Sequence, residues 1–374
     1  MKKFVCLLFA VIIGFSSLDA KALGTSAKAA ILINGDTGEV IFEQNPDVML
    51  PMASTTKIMT ALLLCEHGNF EKEVTVTSEM LRVEGSSMGL LPEDRVTRHD
   101  LLYGLMLASG NDAANVTAYI LGGTVNGFVA MMNRKAEELG LSNTHFATPS
   151  GLDGEGHYTT ARDLANLTKY AMQNEDFSKA AGSKSATLNY GNPPYRRTLT
   201  NHNKLLGSFE GAVGVKTGFT KKSGRCLVSA AKRDGKFVIA VTLNDPDDWL
   251  DHKNMLSHGL AAINQIEIKP ENSEFAIPVI GGEAEELHIS IEPYVINTLE
   301  NSGFSAEINL PRFIYAPIVK GEAIGTVVYK SDNSAIETVN ICANKDIKVS
   351  AFKEKSINKV IKNIKYILSK IWEK

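Results

Sequence analysis

The sequence has 374 residues, with 44% hydrophobic and 22% charged side chains, 30 glycines and 12 prolines. This composition is that of a globular protein and excludes a disordered chain, a collagen-like repeat and a cysteine-rich scaffold, while the length predicts about two to three domains. The formal net charge of −3 gives no reason to expect nucleic-acid binding.

The N-terminus has the pattern of a secretory signal. Lys2 and Lys3 precede an apolar run, Phe4–Phe15, and the small-x-small sequence Ala20-Lys21-Ala22 follows it. Because the run is shorter than the ~20 residues needed to span a bilayer, we expect a cleaved signal peptide over residues 1–22 rather than an uncleaved anchor helix. The signal peptide predicts that the mature protein is exported. No other stretch of the sequence is long and apolar enough to cross a membrane.

Cysteine usage fits export without requiring disulfides. Cys6 leaves with the signal, and Cys65, Cys226 and Cys342 remain at unrelated spacings. The sequence has no C-x-x-C pair and no Cys/His cluster with metal-ligand spacing, so we expect no metal site. Cys65 and Cys226 lie in apolar segments and are expected to be buried small side chains.

Strand patterns at both ends of residues 23–267 enclose a mainly helical segment. Two apolar runs around Asn34–Gly38 predict a β-hairpin, and the Asp234-Gly235 turn predicts a second. The most economical arrangement pairs these distant strands in one antiparallel sheet with the helices packed on it, which is an α+β domain. The predicted strands are 29–33, 40–42, 211–216, 225–231 and 236–243, and the predicted helices are 54–67, 100–121, 125–138 and 160–172.

Beyond Lys269-Pro270 the pattern changes to short strands separated by turns. We therefore predict a small all-β domain over residues 268–350. Its predicted strands are Glu286–Ile291, Ala306–Leu310, Ala323–Tyr329 and Glu337–Ile341.

The C-terminal segment, residues 351–374, is predicted to be a basic amphipathic helix. Residues 353–374 carry seven Lys and two Glu, a net charge of +5, while the rest of the mature chain carries −10. Such a helix lies in the plane of a membrane and favours anionic lipids; a terminal helix packed on the β domain and a coiled-coil seam are the alternatives. The apolar stripe is Ile357, Val360, Ile361, Ile364, Ile367, Leu368 and Ile371, and the lysines beside it are Lys355, Lys359, Lys362, Lys365 and Lys370.

Ser54 and Lys57 stand three residues apart at the start of a predicted apolar helix, which places both side chains on one face. A serine hydroxyl is a poor nucleophile at neutral pH and needs a base within hydrogen-bond reach. A lysine can be that base only if burial or a second cation lowers its pKa. By itself this S-x-x-K spacing is weak evidence for a catalytic pair, because it often occurs by chance.

Two further motifs follow in order. Ser109-Gly110-Asn111 lies where a helix gives way to a loop, and Lys216-Thr217-Gly218 lies at the end of a strand, before the polar turn Thr220–Ser223. Ordered S-x-x-K, S-x-N and K-T-G motifs are the set found in penicillin-interacting serine enzymes. Each motif alone is compatible with a packing or surface role, but their joint occurrence on suitable elements favours such an enzyme.

With these motifs the chain resembles a low-molecular-weight penicillin-binding protein, a serine-type D-alanyl-D-alanine carboxypeptidase of peptidase family S11. The resemblance covers essentially the whole mature chain and implies a DD-peptidase/β-lactamase-like catalytic domain, a β domain and a C-terminal amphipathic anchor. Its other supporting segments are 85–90, 150–153, 156–161, 201–206 and 316–321.

The same resemblance implies the protein's partners and location. The substrate would be a peptidoglycan stem peptide ending in D-Ala-D-Ala, and β-lactam antibiotics would act as substrate mimics. No metal and no organic cofactor would be required. The protein would work at the extracytoplasmic face of the cell membrane, held there by its C-terminal helix.

The resemblance also implies a role for each motif residue. Ser54 would attack the carbonyl between the two terminal D-alanines and form an acyl-enzyme, and Lys57 would take its proton. The nearby positive charge of Lys216 would help to keep Lys57 neutral. Ser109 would relay a proton to the departing D-alanine nitrogen, and Asn111 would hold a substrate amide.

The K-T-G strand would bind the end of the substrate. Lys216 and Thr217 would bind the terminal carboxylate, which explains why a free C-terminus is cut, and Gly218 and Phe219 would also line the substrate site. The backbone N–H groups of Ser54 and Phe219 would form the oxyanion hole. Water would then hydrolyse the acyl-enzyme, whereas β-lactams would acylate Ser54 and leave slowly.

Other functions stay open on the sequence. A β-lactamase of related fold would need a Glu near an Asn, but Glu138 and Asn143 are five apart at a helix end. A DD-endopeptidase or transpeptidase differs in the bond cut or the acyl acceptor, which the motifs do not separate, and a catalytically silent wall-binding protein could keep the fold. A Ser-His-Asp site using His157 or His202 is disfavoured, because no G-x-S-x-G sequence surrounds Ser54.

Overall fold

The computed structural model describes residues 23–301, 303–332 and 334–350, together with 361, 362, 364 and 365. The predicted signal peptide and most of the predicted C-terminal helix lie outside the described residues. The four described tail residues are helical, and none of the helices in these ranges is long and apolar enough to cross a membrane. The chain divides into two compact units between Leu260 and Ala261.

The strands of the first unit form two antiparallel sheets. They are β1 (Ala29–Asn34), β2 (Val40–Gln44), β3 (Glu73–Thr75), β4 (Arg95–Thr97), β5 (Ser185–Gly191), β6 (Pro194–Thr200), β7 (Ala212–Thr220), β8 (Gly224–Arg233) and β9 (Lys236–Leu243). The larger sheet has the order β2-β1-β9-β8-β7, so the two predicted hairpins pair through β1 and β9. This arrangement confirms the predicted joining of strands from the two ends of the unit.

In the described part of the chain, seven α-helices lie between β2 and β7, in the same stretch as the short sheet β3–β6, and one helix follows β9. They are α1 (Lys57–His67), α2 (Arg98–Met106), α3 (Asn111–Gly122), α4 (Val125–Glu138), α5 (Ala161–Ala171), α6 (Glu175–Gly182), α7 (Leu205–Ser208) and α8 (Asp248–Ala262). The hydroxyl of Thr160 accepts the backbone N–H of Asp163 and caps α5, because a side-chain oxygen at this position satisfies an otherwise unpaired donor.

Helices cover both faces of the larger sheet. Ile31 and Ile33 of β1 belong to the main hydrophobic core, whereas a Cβ on Gly259 of α8 would lie 3.1 Å from Leu32. All six residues of β1 are therefore buried, which explains why this strand is a continuous apolar run and does not alternate with polar residues.

The single helix predicted over residues 100–121 is wrong, because the structure has two helices there. Ser109 has a φ of +52° and interrupts the helical path between α2 and α3. The backbone N–H of Asn111 at the start of α3 donates to the carbonyl of Ser86 over 2.7 Å. A neighbouring loop thus takes up a donor group that a continuous helix would have used internally.

The smaller sheet, with the order β3-β4-β5-β6, and the helices α6, α7 and α8 were not predicted. β5 alternates polar and apolar residues over 185–190, and its burial follows that alternation, so the sequence contained a strand signal that the prediction missed. β6 is mostly exposed and carries a weaker signal. The position of the β5–β6 hairpin beside the core depends on contacts made far away in sequence.

The second unit is all-β, as predicted. Its strands are β10 (Asn264–Ile268), β11 (Glu274–Ile280), β12 (Glu286–Ser290), β13 (Tyr294–Thr298), β14 (Phe304–Asn309), β15 (Ile314–Tyr315), β16 (Ala323–Ser331) and β17 (Ser334–Cys342). They form small sheets with the orders β10-β13, β12-β11-β15 and β14-β16-β17. The sheets enclose their own core, which includes Ile277, Leu287, Ile289, Val327 and Tyr329.

Candidate active site

Ser54 lies in a tight turn that leads directly into α1. Residues Ala53–Thr56 form a 3-10 turn, and Lys57 is the first residue of the α-helix. Ala53 has a φ of +48°, in the left-handed region that an alanine adopts at a cost. Backbone strain of this kind persists only where surrounding contacts hold it in place.

A chain of two hydrogen bonds, from His157 to Thr56 and from Thr56 to the carbonyl of Ala53, holds this turn in place. Thr56 Oγ1 donates to this oxygen over 2.8 Å. His157 Nδ1 accepts the backbone N–H of Ala147 over 2.9 Å, so the other ring nitrogen carries the proton and donates to Thr56 Oγ1 over 2.8 Å. Burial lowers the pKa of His157 to about 4, which keeps the ring neutral. The histidine therefore supports the nucleophile turn and is not bonded to Ser54.

Gly151 packs directly against the same turn. Its φ is +87°, and a Cβ added there would lie 1.9 Å from the carbonyl oxygen of Ala53. Only glycine allows this approach. The close contact brings the preceding residue, Ser150, beside the first turn of α1.

Lys57 is fully buried behind Ser54 and makes three hydrogen-bond contacts. Its Nζ lies 3.0 Å from Ser54 Oγ, 2.8 Å from Asn111 Oδ1 and 2.6 Å from the carbonyl oxygen of Ser150. The structure therefore brings together residues from α1, α3 and a distant loop around one amine.

The surroundings of Lys57 favour the neutral amine. Burial lowers the pKa of Lys57 well below its usual value, the positive charge of Lys216 lowers it further, and the carboxylate of Asp112 acts in the opposite direction. A neutral amine can accept a proton, which a lysine with its ordinary pKa of about 10.4 could not do at neutral pH.

Ser109 lies in the break between α2 and α3, and Asn111 is the first residue of α3. Both are buried, and Ser109 lines the cleft in front of Ser54. The amide of Asn111 contacts Lys57 through its oxygen, and its nitrogen donates to the carbonyl of Glu84 over 2.6 Å. Asn111 thus orients the amine of Lys57 from behind the cleft.

Asp112 is a positioning residue that the sequence did not reveal. Its buried carboxylate accepts the hydroxyl of Ser87 over 2.6 Å and the backbone N–H groups of the next three residues over 3.0–3.1 Å. These bonds fix the loop over residues 86–90 against the start of α3.

The K-T-G motif lies in the middle of β7, and the prediction that it ends a strand is wrong. The strand continues to Thr220 because the ladder to β8 extends through Phe219, opposite Arg225, to Thr220. A Cβ on Gly218 would lie 3.0 Å from the backbone nitrogen of Ser54. The absence of a side chain there allows the strand edge to approach the nucleophile turn.

Lys216 is buried on this strand, and its Nζ donates to the carbonyl of Thr217 over 3.0 Å. Burial lowers the pKa of Lys216 to about 7. The amine is therefore only partly charged at neutral pH. His202 faces this charge, and burial together with Lys216 lowers the pKa of His202.

A cleft of about 360 Å³ opens in front of these residues. It exposes the predicted site residues Ser54, Ser109, Thr217, Gly218 and Phe219, while Lys57, Asn111 and Lys216 lie buried behind it. The remaining lining residues are Ser86, His202, Lys204, Arg225, Asp248 and Trp249.

The cleft contains a cationic group that sequence reasoning missed. Arg225 donates from Nη2 to Asp248 Oδ1 over 2.7 Å, and its guanidinium carbon lies 5.8 Å from the ring centroid of Trp249. Lys204 Nζ lies at the same distance from that ring. The sequence did contain a signal for Arg225. A strand that follows K-T-G after a tight turn pairs its first residues with the residues just after the motif, and Arg225 is paired with Phe219 in this way.

Comparison with known proteins agrees with this geometry. Residues 17–247 match the peptidase S11 family, described as D-alanyl-D-alanine carboxypeptidase, and residues 266–349 match the C-terminal domain of penicillin-binding protein 5. The chain is 33% identical to the D-alanyl-D-alanine carboxypeptidase DacF of Bacillus subtilis (strain 168), over 90% of this chain and 91% of that one.

Solved structures show the same fold. The Streptomyces K15 DD-transpeptidase is 34% identical, with a TM-score of 0.61 over 64% of this chain and 98% of that one. The D-alanyl-D-alanine carboxypeptidase DacD of Francisella tularensis is 25% identical, with a TM-score of 0.62 over 94% of this chain and 98% of that one. The matched family spans the nucleophile turn and all three motifs, and the chain therefore belongs to the S11 family of serine-type D-alanyl-D-alanine carboxypeptidases, the low-molecular-weight penicillin-binding proteins.

Proposed function

We propose that this carboxypeptidase removes the terminal D-alanine of peptidoglycan pentapeptides through an acyl-enzyme on Ser54. The observation that carries the proposal is the 3.0 Å contact between Ser54 Oγ and the Nζ of a fully buried Lys57. A nucleophile and a base within hydrogen-bond reach, with the base oriented by further groups, meet the requirement for covalent catalysis.

The hydrogen bonds of Lys57 define the direction of proton transfer. A neutral amine has two N–H donors and one lone pair. The carbonyl of Ser150 and the amide oxygen of Asn111 accept the two N–H groups, so the lone pair faces the hydroxyl of Ser54. Ser54 then donates its proton to Lys57 as its oxygen attacks the substrate carbonyl.

We assign the remaining motif residues as follows. The backbone N–H groups of Ser54 and Phe219 stabilise the oxyanion, which the close approach of Gly218 to the Ser54 nitrogen supports. Ser109 relays the proton to the departing D-alanine nitrogen. Asn111 uses its second N–H to hold a substrate amide, since the first is donated to Glu84.

We further propose that Arg225 joins Lys216 and Thr217 in binding the terminal carboxylate of the substrate. The pKa of Lys216, about 7, leaves that amine only partly charged at neutral pH, whereas a guanidinium is always charged and binds carboxylates through two parallel N–H groups. Asp248 fixes the guanidinium at the cleft.

Replacing Arg225 by glutamine should lower kcat/KM for a pentapeptide with a free C-terminus by about 10- to 100-fold, with most of the effect in KM. Steady-state release of D-alanine measures this. Arg233→Gln is the matched control, because Arg233 lies at the other end of β8 and pairs with Glu210. Equal kinetic constants for the two variants would contradict a role for Arg225 in carboxylate binding.

The bond that is cut can be tested by comparing substrates. We expect rapid formation of the shortened peptide, with release of D-alanine, from a pentapeptide ending in a free D-Ala-D-Ala. We expect almost none of the shortened peptide, and almost no D-alaninamide, from the same pentapeptide with an amidated C-terminus, because the carboxylate site would be empty. Cleavage of a cross-linked dimer at the same rate would favour a DD-endopeptidase. Transfer of the acyl group to an added amino acid, in preference to water, would favour a DD-transpeptidase.

We also propose the domain division and the location of the protein. The division is a signal peptide over 1–22, a catalytic domain over 23–267, a β domain over 268–350 and an amphipathic anchor over 351–374. The two family matches, which end at residue 247 and begin at residue 266, support a division near the middle boundary. The compact units meet earlier, between Leu260 and Ala261, because β10 pairs with β13 of the second unit. Members of the family act on peptidoglycan outside the cytoplasm, and the basic tail would hold this protein on the outer face of the membrane.

Deletion of residues 353–374 should move the protein from the membrane fraction to the soluble fraction of fractionated cells. The reason is the loss of seven lysines together with the apolar stripe. Immunoblotting of both fractions measures the change, with D-alanine release as the control for folding. Persistence of the truncated protein in the membrane pellet would exclude this tail as the anchor.

A further inference from the structure

The β domain carries an exposed apolar patch, here called the end patch. Five large apolar side chains with 47–68% of their surface exposed lie on segments that are joined to one another. Exposed apolar residues scattered singly are ordinary, but a contiguous group marks an interaction surface. The end patch consists of Ile280, Phe313, Tyr315, Val319 and Val349.

Backbone pairing brings these residues together. Ile280 and Tyr315 are register partners in the parallel pair β11–β15, and the rings of Phe313 and Tyr315 lie 5.5 Å apart in an edge-to-face arrangement. Val349 is bridged to Gly282, two residues beyond Ile280. Val319 follows Ile318, which is bridged to Ile347, two residues before Val349. The five residues therefore lie on neighbouring segments of the β domain.

The outer face of β11 is unusual for an exposed strand. Ile277 and Val279 point into the domain core, and the alternate residues Pro278 and Ile280 are exposed and apolar as well. In a sheet with one solvated face, the outward residues are normally polar. An apolar outward face at this position indicates a surface that is covered during function.

The chain leaves the β domain next to the end patch. The backbone N–H of Ser350 donates to the carbonyl of Gly281 over 2.8 Å, next to Ile280. The basic segment over 351–374 begins at the following residue. The tail therefore starts within a few residues' reach of the end patch.

We propose that the end patch is a second membrane contact, which inserts its aromatic and aliphatic side chains into the interfacial region of an anionic bilayer beside the tail. The proposal rests on the membrane anchoring proposed for residues 351–374. Tyrosine is favoured at the level of the lipid headgroups, and phenylalanine is typical of the apolar face of elements that lie in the membrane interface. The lysines of the tail supply attraction to anionic lipid. A single reversible anchor gains residence time from a second contact near it.

The test uses the mature full-length chain, residues 23–374, and sedimentation with vesicles of phosphatidylglycerol and phosphatidylcholine. Phe313→Ser/Tyr315→Ser should lower the partition coefficient by about tenfold, since two apolar side chains no longer leave water. The matched control is Ile336→Ser/Val339→Ser, which changes two exposed apolar residues of β17 in the same domain. D-alanine release should be the same in all variants, which reports that they fold.

The outcomes separate the patch from the tail. If the wild-type chain does not bind the vesicles, both the tail anchor and the end patch are refuted. If it binds and the two double variants bind equally well, only the end patch is refuted. Stronger vesicle binding by Phe313→Ser/Tyr315→Ser would show that the patch holds the tail in solution. A change from dimer to monomer in light scattering, caused by the same substitutions, would show that the patch holds a second copy of the chain. Each result would overturn the proposal.

A depth measurement gives an independent readout. In a Trp372→Phe background, the additional change Tyr315→Trp places a fluorophore in the patch. Lipids brominated near the headgroup should quench the added fluorescence on vesicle binding. No added quenching, in a protein that does sediment with the vesicles, would place the patch away from the membrane.

Discussion

Ser54→Ala should reduce D-alanine release from a pentapeptide by at least about 10⁴-fold, with little change in substrate binding. The alanine removes the oxygen that forms the acyl bond but leaves the cleft, the oxyanion donors and the carboxylate site in place. Loss of the nucleophile in enzymes that use an acyl intermediate has effects of this size. Steady-state D-alanine release measures the rate, and substrate titration of the inactive variant measures binding.

Mass spectrometry after incubation with penicillin provides the control. The wild-type protein should gain the mass of one β-lactam on the peptide that contains Ser54, and the alanine variant should gain none. The adduct should persist, because the proposed mechanism has the β-lactam acyl-enzyme hydrolyse slowly. A wild-type peptide that stays unmodified would refute the acyl-enzyme, and rapid turnover of penicillin would indicate a β-lactamase.

Lys57→Met should lower the rate of acylation of Ser54 by about 10³-fold, because the site loses its general base. Methionine has a similar length and no charge, so the buried space behind Ser54 remains filled. Stopped-flow acylation by a fluorescent penicillin measures the rate. The unfolding midpoint in denaturant checks that the fold is retained, and an acylation rate equal to that of the wild type would remove Lys57 from the proton path.

The pH dependence of acylation gives a second test of the same base. Only the neutral amine of Lys57 accepts a proton, so the rate should fall as the pH falls through the pKa of Lys57. Burial and the charge of Lys216 hold that pKa well below its usual value, so the wild type should acylate readily at neutral pH. Lys216→Met removes one cause of the lowered pKa and should move this limb of the profile to higher pH, whereas Lys57→Met should lack the limb.

The joining of the two strand hairpins of the catalytic unit in one sheet, with helices packed on it, could be predicted from sequence because its evidence is local. Each strand hairpin carries its own apolar runs and turn residues, and α5 carries its own cap at Thr160. The break between α2 and α3 could not be predicted in the same way. It depends on a hydrogen bond from Asn111 to Ser86, a residue that lies 25 positions earlier in the sequence.

In the candidate site, too, some features could be predicted from local sequence and others depend on contacts between distant residues. The spacing of Ser54 and Lys57 places them together, whether the turn between them is α-helical or, as found, 3-10. The partners that fix the amine of Lys57 come from Asn111 and Ser150. Only the folded chain brings these groups together, and the same is true of Arg225 and Asp248 in the cleft.

The relay from His157 through Thr56 to Ala53 has a consequence for kinetic measurements. It needs an unprotonated Nδ1 on the imidazole, and the pKa of His157, about 4, preserves that form across the pH range in which a cell wall is built. The backbone that presents Ser54 therefore keeps one conformation while the two lysines titrate. A fall in the acylation rate below neutral pH can then be assigned to titrating groups of the cleft, such as Lys57, Lys216 and His202, and not to protonation of His157.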